Sequence, residues 1–235
     1  MDDDDPRSHI ALALDVPDLA SARALIEQTR EHVGAFKVGL ELYTAVGPAA
    51  VDAVHDAGAS CFLDLKLHDI PATMGRTVAR AASMGVAYLT VHCAAGRESL
   101  HQACMHTGGT RLLAVTVLTS LDAPALRAIG LAGEPREAAD RLASLAWHVG
   151  LRGFVTSAHE CASLRANLGK EAFLVTPGIR PAGAEVGDQK RVMTPADAIA
   201  AGADLLVLGR PIRDAAEPGR AAAEIERQVG LALSQ

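Results

Sequence analysis

Residues 61–73 read CFLDLKLHDIPAT, a segment that combines an alternating apolar run, a short turn and a proline. Apolar residues at every second position of 61–67 are typical of a β-strand. Asp64 and Lys66 are two residues apart, so on an extended strand both side chains point to the same face. Pro71 is favoured in the first turn of a helix, which we expect to continue to about residue 83. The segment therefore predicts a strand that carries two charges on one face and leads into a helix.

The same order of a short apolar run followed by a longer amphipathic segment recurs along the whole chain. The predicted strands cover residues 10–16, 35–40, 61–67, 88–93, 112–118, 153–157, 173–177 and 205–209. The predicted helices cover residues 18–32, a stretch ending near 56, 71–83, a stretch from about 98, 137–148, 160–168, a stretch from 195, and 219–233.

Strands that alternate with helices pair in parallel. Eight such units in 235 residues favour a closed (β/α)8 TIM barrel over an open doubly wound sheet. The predicted fold class is therefore α/β, with one barrel domain at residues 9–235 after a disordered or frayed N-terminus at residues 1–8.

The composition excludes several other classes of protein. Hydrophobic residues make up 49% of the chain and charged residues 21%, which is too apolar for a disordered protein. The formal net charge of -6 is not that of a general nucleic-acid binder, and no apolar run is long enough to cross a membrane. The acidic start MDDDD is unlike a basic leader, and the 4 cysteines form no CxxC pair. We therefore expect a cytoplasmic protein with buried, free thiols.

Charged side chains lie at the ends of the first three predicted strands, where a barrel builds its active site: Asp15, Lys37, Asp64 and Lys66. Charges directed into a barrel are costly to desolvate alone, so we expect the lysines to pair with the carboxylates. Ammonium groups fixed in this way can stabilise a developing negative charge and then deliver a proton. The pattern predicts a catalytic site. The alternative is an ion-pair network that only holds the mouth of the barrel together.

A second group of polar residues follows the seventh and eighth predicted strands, at the recurrent phosphate site of these barrels. The seventh strand ends in TPGIR at 176–180, and the eighth ends in GRP at 209–211. Glycine exposes backbone N–H groups, and arginine can contact two phosphate oxygens at once. We therefore expect a phosphate site formed by Arg180, Gln189, Gly209 and Arg210.

Together these blocks resemble the orotidine 5′-phosphate decarboxylase family, whose signature is matched by Asp64-x-Lys66-x-x-Asp69-Ile70-Pro71-x-Thr73. The other matching blocks are LD at 14–15, KVG at 37–39, LTS at 118–120, TPGIR at 176–180, GDQ at 187–189 and GRP at 209–211. The resemblance implies a homodimer of TIM barrels that converts orotidine 5′-monophosphate to uridine 5′-monophosphate and CO2 in pyrimidine biosynthesis, with neither a metal nor an organic cofactor.

The resemblance also implies a role for each matching residue. Lys66 would donate a proton to C6 of the pyrimidine, and Lys37 would bind both Asp64 and a ribose hydroxyl. Asp64 would lie beside the departing carboxylate, and both repulsion of that group and orientation of Lys66 remain open as its role. The remaining implied contacts are Asp15 with a second ribose hydroxyl; Thr119 and Ser120 with the pyrimidine; Gln189, Gly209 and Arg210 with the phosphate; Arg180 near the same lid loop; and Asp69, Ile70 and Thr73 with the neighbouring subunit's site.

Two departures and two alternatives accompany the resemblance. Ala72 replaces the family's usual Asn, and residues 121–135 match no block. Magnesium-dependent relatives, 3-keto-L-gulonate-6-phosphate decarboxylase and hexulose-6-phosphate synthase, share the Asp-x-Lys-x-x-Asp strand but carry a metal-binding Glu where this chain has Lys37. A non-catalytic phosphate-binding barrel would be expected to have lost part of the charged array. We therefore expect a small-molecule substrate, no bound metal, and neither nucleic acid nor membrane as a partner.

Overall fold

The computed structural model describes residues 5–181 and 193–234, which contain a closed barrel of eight parallel strands. The strands are β1 (Ile10–Ala13), β2 (Ala35–Gly39), β3 (Ser60–Leu67), β4 (Tyr88–His92), β5 (Arg111–Val115), β6 (Gly153–Val155), β7 (Phe173–Thr176) and β8 (Leu205–Leu208). Each strand pairs with the next along the chain, and β8 pairs with β1 to close the barrel. The predicted single-domain (β/α)8 barrel is confirmed.

Helices cover the outside of the barrel and connect its strands. They are α1 (Leu19–Thr29), α2 (Leu40–Val46), α3 (Ala49–Asp56), α4 (Pro71–Ser83), α5 (Gly96–Cys104), α6 (Ala123–Ala128), α7 (Pro135–Val149), α8 (Cys161–Leu168), α9 (Pro195–Ala200), α10 (Arg210–Arg213) and α11 (Pro218–Leu233). Asp18 begins α1 because its side chain accepts a hydrogen bond from the Ser21 N–H, and Pro71 occupies the first turn of α4.

The structure differs from the sequence prediction at several element boundaries. The stretch expected to be one helix ending near residue 56 is two helices, because Gly47 at φ 62° ends α2 and Pro48 precedes α3. Residues 121–135, which match no motif, include α6, whose start is capped by the Asp122 side chain. Strand β8 ends at Leu208, and the arginine expected to end it begins α10 instead.

Apolar side chains fill both the barrel interior and the layer between the sheet and the helices. The outer layer is the larger, and Phe36, Leu63 and Phe154 lie in it with almost no exposure. The interior cluster is small and consists of Ala11, Ala13, Ala35, Phe62, Leu113, Val175, Leu205 and Val207. Because the interior is packed, polar chemistry is confined to the ends of the barrel.

The N-terminal segment contains a short turn before the first strand. Of the residues expected to be disordered or frayed, 1–4 lie outside the described part of the chain, and Pro6–His9 form a 3-10 turn. The Asp5 carboxylate accepts a hydrogen bond from the Arg7 N–H at 3.0 Å and pairs with its guanidinium at 2.7 Å. Within residues 5–181 and 193–234, no helix combines the length and the apolar character needed to cross a membrane.

Candidate active site

Four charged side chains meet at the C-terminal mouth of the barrel. The Lys66 Nζ donates to both carboxylate oxygens of Asp64, at 2.9 Å to Oδ1 and 2.8 Å to Oδ2. The Lys37 Nζ lies 3.4 Å from the Asp64 Oδ2 and 3.2 Å from the Asp15 Oδ1. The structure therefore brings together the four groups that the sequence predicts to pair, in the order Asp15, Lys37, Asp64, Lys66.

Asp64 is held in its charged form at the centre of this array. The residue is 7% exposed, and burial alone raises the pKa of its carboxyl. The charges of Lys37 and Lys66, with hydrogen bonds from Lys66 and Thr90, outweigh the burial and hold that pKa below its ordinary value. The two ammonium groups therefore share a carboxylate that stays ionised at neutral pH.

Lys66 has an unusual backbone conformation. Its φ of 48° makes it the sole non-glycine residue with a positive φ in the described part of the chain. Strand β3 pairs with β4 at Leu63 and again at Leu67, and the register shifts between them. Such a conformation costs on the order of 1–3 kcal/mol and is found at active sites, where the surrounding structure enforces it. The lysine thus lies on a bulge and not, as predicted, on a regular strand.

Gly39 leaves the space that the array occupies. A Cβ at this position would lie 2.9 Å from the Lys37 Nζ and 3.1 Å from the Asp15 Oδ1. Both distances are shorter than ordinary van der Waals contact, so a larger residue would displace the ammonium group. The glycine of the KVG block is therefore needed because the Lys37 and Asp15 side chains lie so close to its backbone.

The charged array forms one wall of an open cavity of about 470 Å³. This volume is in the range of small-molecule sites. Apolar side chains, among them Phe62, Val115, Val155 and Val207, line the part nearest the barrel interior. The predicted site residues that line the cavity are Asp15, Lys37, Asp64, Lys66, Thr119, Ser120, Arg180, Gly209 and Arg210.

The predicted phosphate residues Arg180, Gly209 and Arg210 line the same cavity where the chain leaves β7 and β8. Arg180 is 8% exposed, and its Nη1 donates to the Ile179 carbonyl oxygen at 2.8 Å. Arg210 is the first residue of α10 and follows Gly209 at the end of β8. The cavity therefore has a lysine–carboxylate wall and an arginine wall. Gln189, predicted to bind the same phosphate, lies outside the described residues.

Asp69, Ile70 and Thr73 do not line the cavity of their own chain. They lie immediately before α4 and in its first turn, and Ile70 is 68% exposed. The Asp69 Oδ1 accepts the Ile70 N–H at 2.7 Å, and the Asp69 carbonyl accepts the Ser99 hydroxyl at 2.9 Å. The Asp-x-Lys-x-x-Asp motif is thus divided between the cavity wall and the exposed rim.

Two residues near the array were not predicted from the sequence. Arg213 lines the cavity, and its Nη1 donates to the Asp15 carbonyl oxygen at 2.8 Å. The signal that could have identified it is its spacing of three residues from Arg210, which places both on one helical turn. Thr90 on β4 contacts Asp64 and Lys66 without lining the cavity, and no pattern local to β4 marks it.

The histidines and cysteines lie outside the array. The His92 ring is tilted against the His68 ring, with 5.7 Å between their centroids. Burial lowers the pKa of His92, and the charges of His68 and Lys66 lower it further. The expected free thiols are confirmed, although Cys104 is only partly buried, and burial raises the pKa of the Cys61 thiol to about 12. In the described ranges no group of three His, Cys, Asp or Glu side chains is arranged to hold a metal ion.

Comparison with known proteins identifies relatives that match most of this chain. The family model described as "Orotidine 5'-phosphate decarboxylase / HUMPS family" matches residues 8–225. The orotidine 5′-phosphate decarboxylase of Anaeromyxobacter sp. (strain K) is 53% identical over 221 residues, which cover 94% of this chain and 97% of the relative. That of Thermobifida fusca (strain YX) is 51% identical over 221 residues and covers 94% of this chain and 95% of the relative.

A solved structure has the same architecture. The crystal structure of orotidine 5′-phosphate decarboxylase from Lactobacillus acidophilus superimposes with a TM-score of 0.83 at 32% sequence identity. The match covers 94% of this chain and 98% of that one. The likeness extends over nearly the whole barrel.

Proposed function

The chain belongs to the orotidine 5′-phosphate decarboxylase family, and we propose on that basis that it converts orotidine 5′-monophosphate to uridine 5′-monophosphate and CO2 in pyrimidine biosynthesis. The observation that carries this function is the Lys37–Asp64–Lys66 array. It places a fixed ammonium group beside a buried, ionised carboxylate in an open cavity.

The reaction requires stabilisation of a localised negative charge. The bond between C6 and the carboxylate carbon breaks heterolytically, CO2 departs, and the electron pair stays at C6 in the plane of the ring. The π system cannot delocalise a pair in that plane. The Lys66 ammonium stabilises the charge as it develops and then transfers a proton from Nζ to C6. Lys66 regains its proton from solvent, so the enzyme returns to its starting state.

The other members of the array hold the lysine in place. Asp64 accepts both short contacts from Lys66, which fixes the direction of the ammonium group. Lys37 bridges Asp64 and Asp15, and we assign Lys37 and Asp15 to the ribose hydroxyls of the substrate. Because the charges are arranged before the substrate binds, little reorganisation is needed during the reaction.

The arginine wall of the cavity supplies binding energy remote from the reacting carbon. We assign Arg210, the Gly209 backbone and Gln189 to the phosphate, Arg180 to the same end of the cavity, and Thr119 and Ser120 to the pyrimidine. Arginine suits this role because its planar guanidinium matches two phosphate oxygens. Binding energy at the phosphate can then be used to align C6 with Lys66.

We further propose that the active enzyme is a cytoplasmic homodimer that needs neither a metal nor an organic cofactor. In the dimer, Asp69, Ile70 and Thr73 reach the neighbouring subunit's cavity. Their position on the rim and the 68% exposure of Ile70 support this arrangement. The magnesium-dependent alternatives are not favoured, because the ammonium of Lys37 occupies the place of a metal-binding carboxylate.

The first test is an absorbance assay of orotidine 5′-monophosphate with the purified protein in excess EDTA. We expect a rapid loss of the orotate band with the wild type. The variant Lys66→Ala lacks the proton donor and should lose at least about 10³-fold in kcat, with its fold unchanged by circular dichroism.

Two other outcomes would contradict the proposal. Absence of a spectral change with the wild type, followed by activity on a sugar phosphate after magnesium is added, would assign the chain to the metal-dependent relatives. Equal rates for the wild type and Lys66→Ala would exclude Lys66 as the proton donor.

A further inference from the structure

Thr90 stands opposite the bulge that carries the active-site lysine. Leu63 of β3 pairs with Leu89 of β4, and the next pair in register is Leu67 with Val91. Three residues of β3, 64–66, therefore face one residue of β4, which is Thr90. A regular ladder cannot satisfy the extra residues of such a bulge, so their backbone groups need other partners.

The Thr90 hydroxyl supplies one of those partners and contacts Asp64 at the same time. The Lys66 backbone N–H donates to the Thr90 Oγ1 at 2.8 Å, and the same Oγ1 donates to the Asp64 Oδ1 at 2.9 Å. A hydroxyl has one hydrogen, a backbone N–H only donates, and a carboxylate only accepts. The direction of both hydrogen bonds is therefore determined.

Thr90 is buried beside the array, which shields these two hydrogen bonds from water. The residue is 1% exposed, so water does not compete for its hydroxyl. It lies behind the array and does not line the cavity, so it is not placed to touch a bound substrate. A role for Thr90 in the reaction would have to act through Lys66 and Asp64.

We propose that Thr90 is a positioning residue for Lys66. The Thr90 hydroxyl links the Lys66 backbone to the Asp64 carboxylate and so holds the Lys66 ammonium group where it can donate its proton. This inference rests on the proposed decarboxylase function. The hydroxyl keeps Lys66 in its left-handed backbone conformation, in which its side chain and that of Asp64 face the same cavity.

Loss of the hydroxyl would leave the Lys66 N–H and the Asp64 Oδ1 each without one hydrogen bond. The ion pairs from Lys37 and Lys66 to Asp64 would remain, and so would the arginine wall. The charged array would therefore still form, but Lys66 would be held less firmly. Binding groups remote from C6 are unaffected, so the effect is expected in kcat and not in KM.

The variants Thr90→Ser and Thr90→Ala provide the sharpest comparison, because they differ from each other by one oxygen atom. We expect T90S to keep kcat within about threefold of the wild type and T90A to lose about 10- to 100-fold, with KM changed less than about threefold in both. Thr90→Val retains the shape of the side chain without the hydroxyl and should behave as T90A does. If T90V does not fold, the T90S and T90A pair still decides the question.

Thr110 supplies a matched control at the other end of the barrel. It is 6% exposed, and its hydroxyl donates to the Val86 carbonyl oxygen at 2.8 Å, next to the start of β5. Thr110→Ala should lower the unfolding temperature much as T90A does, with kcat unchanged. Restoration of kcat by T90S, together with an active T110A, would support the positioning role.

Three results would overturn the proposal. They are a T90A variant with wild-type kcat, a T90S variant as impaired as T90A, and an equal loss of kcat in T110A. A wild type that does not consume orotidine 5′-monophosphate would overturn the proposed function and this inference together. Equal kcat values for an active wild type and T90A would overturn this inference and leave the proposed function standing.

Discussion

At the scale of single residues, Asp64 combines a place in the proposed active site with a contribution to stability. Its carboxylate lies between two ammonium groups, and its folded-state pKa is depressed despite the burial that raises it. A group whose pKa is lower in the folded than in the unfolded state stabilises the fold above the unfolded pKa. That contribution is lost as the pH falls through the folded pKa.

The variant Asp64→Asn tests this pH dependence. At pH 7 we expect it to lower the free energy of unfolding by about 1–3 kcal/mol, because a charged hydrogen-bond acceptor is lost. The difference from the wild type should shrink as the pH falls below about 4, where an unfolded Asp takes up its proton. Urea unfolding of both proteins across this pH range measures the effect.

Asp56→Asn is the matched control, because Asp56 pairs with Arg23 on the surface, where its side chain is 61% exposed. Exposed pairs contribute about 0–1 kcal/mol, so the same substitution there should have little effect at any pH. A difference for Asp64→Asn that grows on acidification would contradict the depressed pKa.

At the scale of elements, the pairing of β5 with β6 brings the β5 backbone very close to Gly153. A Cβ at this first residue of β6 would lie 2.5 Å from the Leu112 carbonyl oxygen and 2.6 Å from the Leu113 Cδ2. A backbone oxygen in a strand cannot move without distorting the ladder between β5 and β6. Glycine is therefore required here for space.

Gly153→Ala should accordingly destabilise the barrel by about 1–3 kcal/mol through overpacking. Gly109→Ala is the control, because a Cβ there meets no atom within 4 Å and should leave the unfolding temperature unchanged. Thermal unfolding of the two variants gives the comparison. Equal unfolding temperatures would show that the β5–β6 ladder adjusts without cost.

At the scale of the whole molecule, the proposed dimer divides each active site between two subunits. Lys66 belongs to the cavity of its own chain, whereas Asp69 lies on the exposed rim. Lys66→Ala and Asp69→Ala should each be inactive as pure dimers. A heterodimer of the two variants contains one site with both substitutions and one site with neither.

Mixing the two inactive variants under conditions that exchange subunits should therefore restore activity. Random exchange of a two-fold dimer gives about one intact site in four, so we expect about a quarter of the wild-type kcat per site. The control is a mixture of Lys66→Ala with Lys37→Ala, two substitutions in the same cavity. Because neither heterodimer site is then free of a substitution, this mixture should stay inactive. Activity in the control, or none in the first mixture, would contradict a site shared between subunits.

The barrel and the charged groups at its mouth were predictable from the sequence, because both follow from short-range patterns. Strand and helix periodicity identified the eight units, and two-residue spacing predicted that Asp64 and Lys66 face one cavity, although it did not predict the bulge that carries the lysine. The TPGIR and GRP motifs predicted that arginines follow the last two strands. These signals are local, so they can be detected without any knowledge of which strands are neighbours.

How the lysine is held was not predictable from the sequence, because it depends on contacts between strands that are distant in the chain. The positive φ of Lys66 and the hydroxyl of Thr90 meet because β3 and β4 pair with a shifted register across 24 residues of sequence. Arg213 reaches the Asp15 carbonyl because closure of the barrel brings β8 beside β1. Such contacts join residues far apart in the chain, and their geometry is set by packing of the complete barrel, which no local pattern encodes.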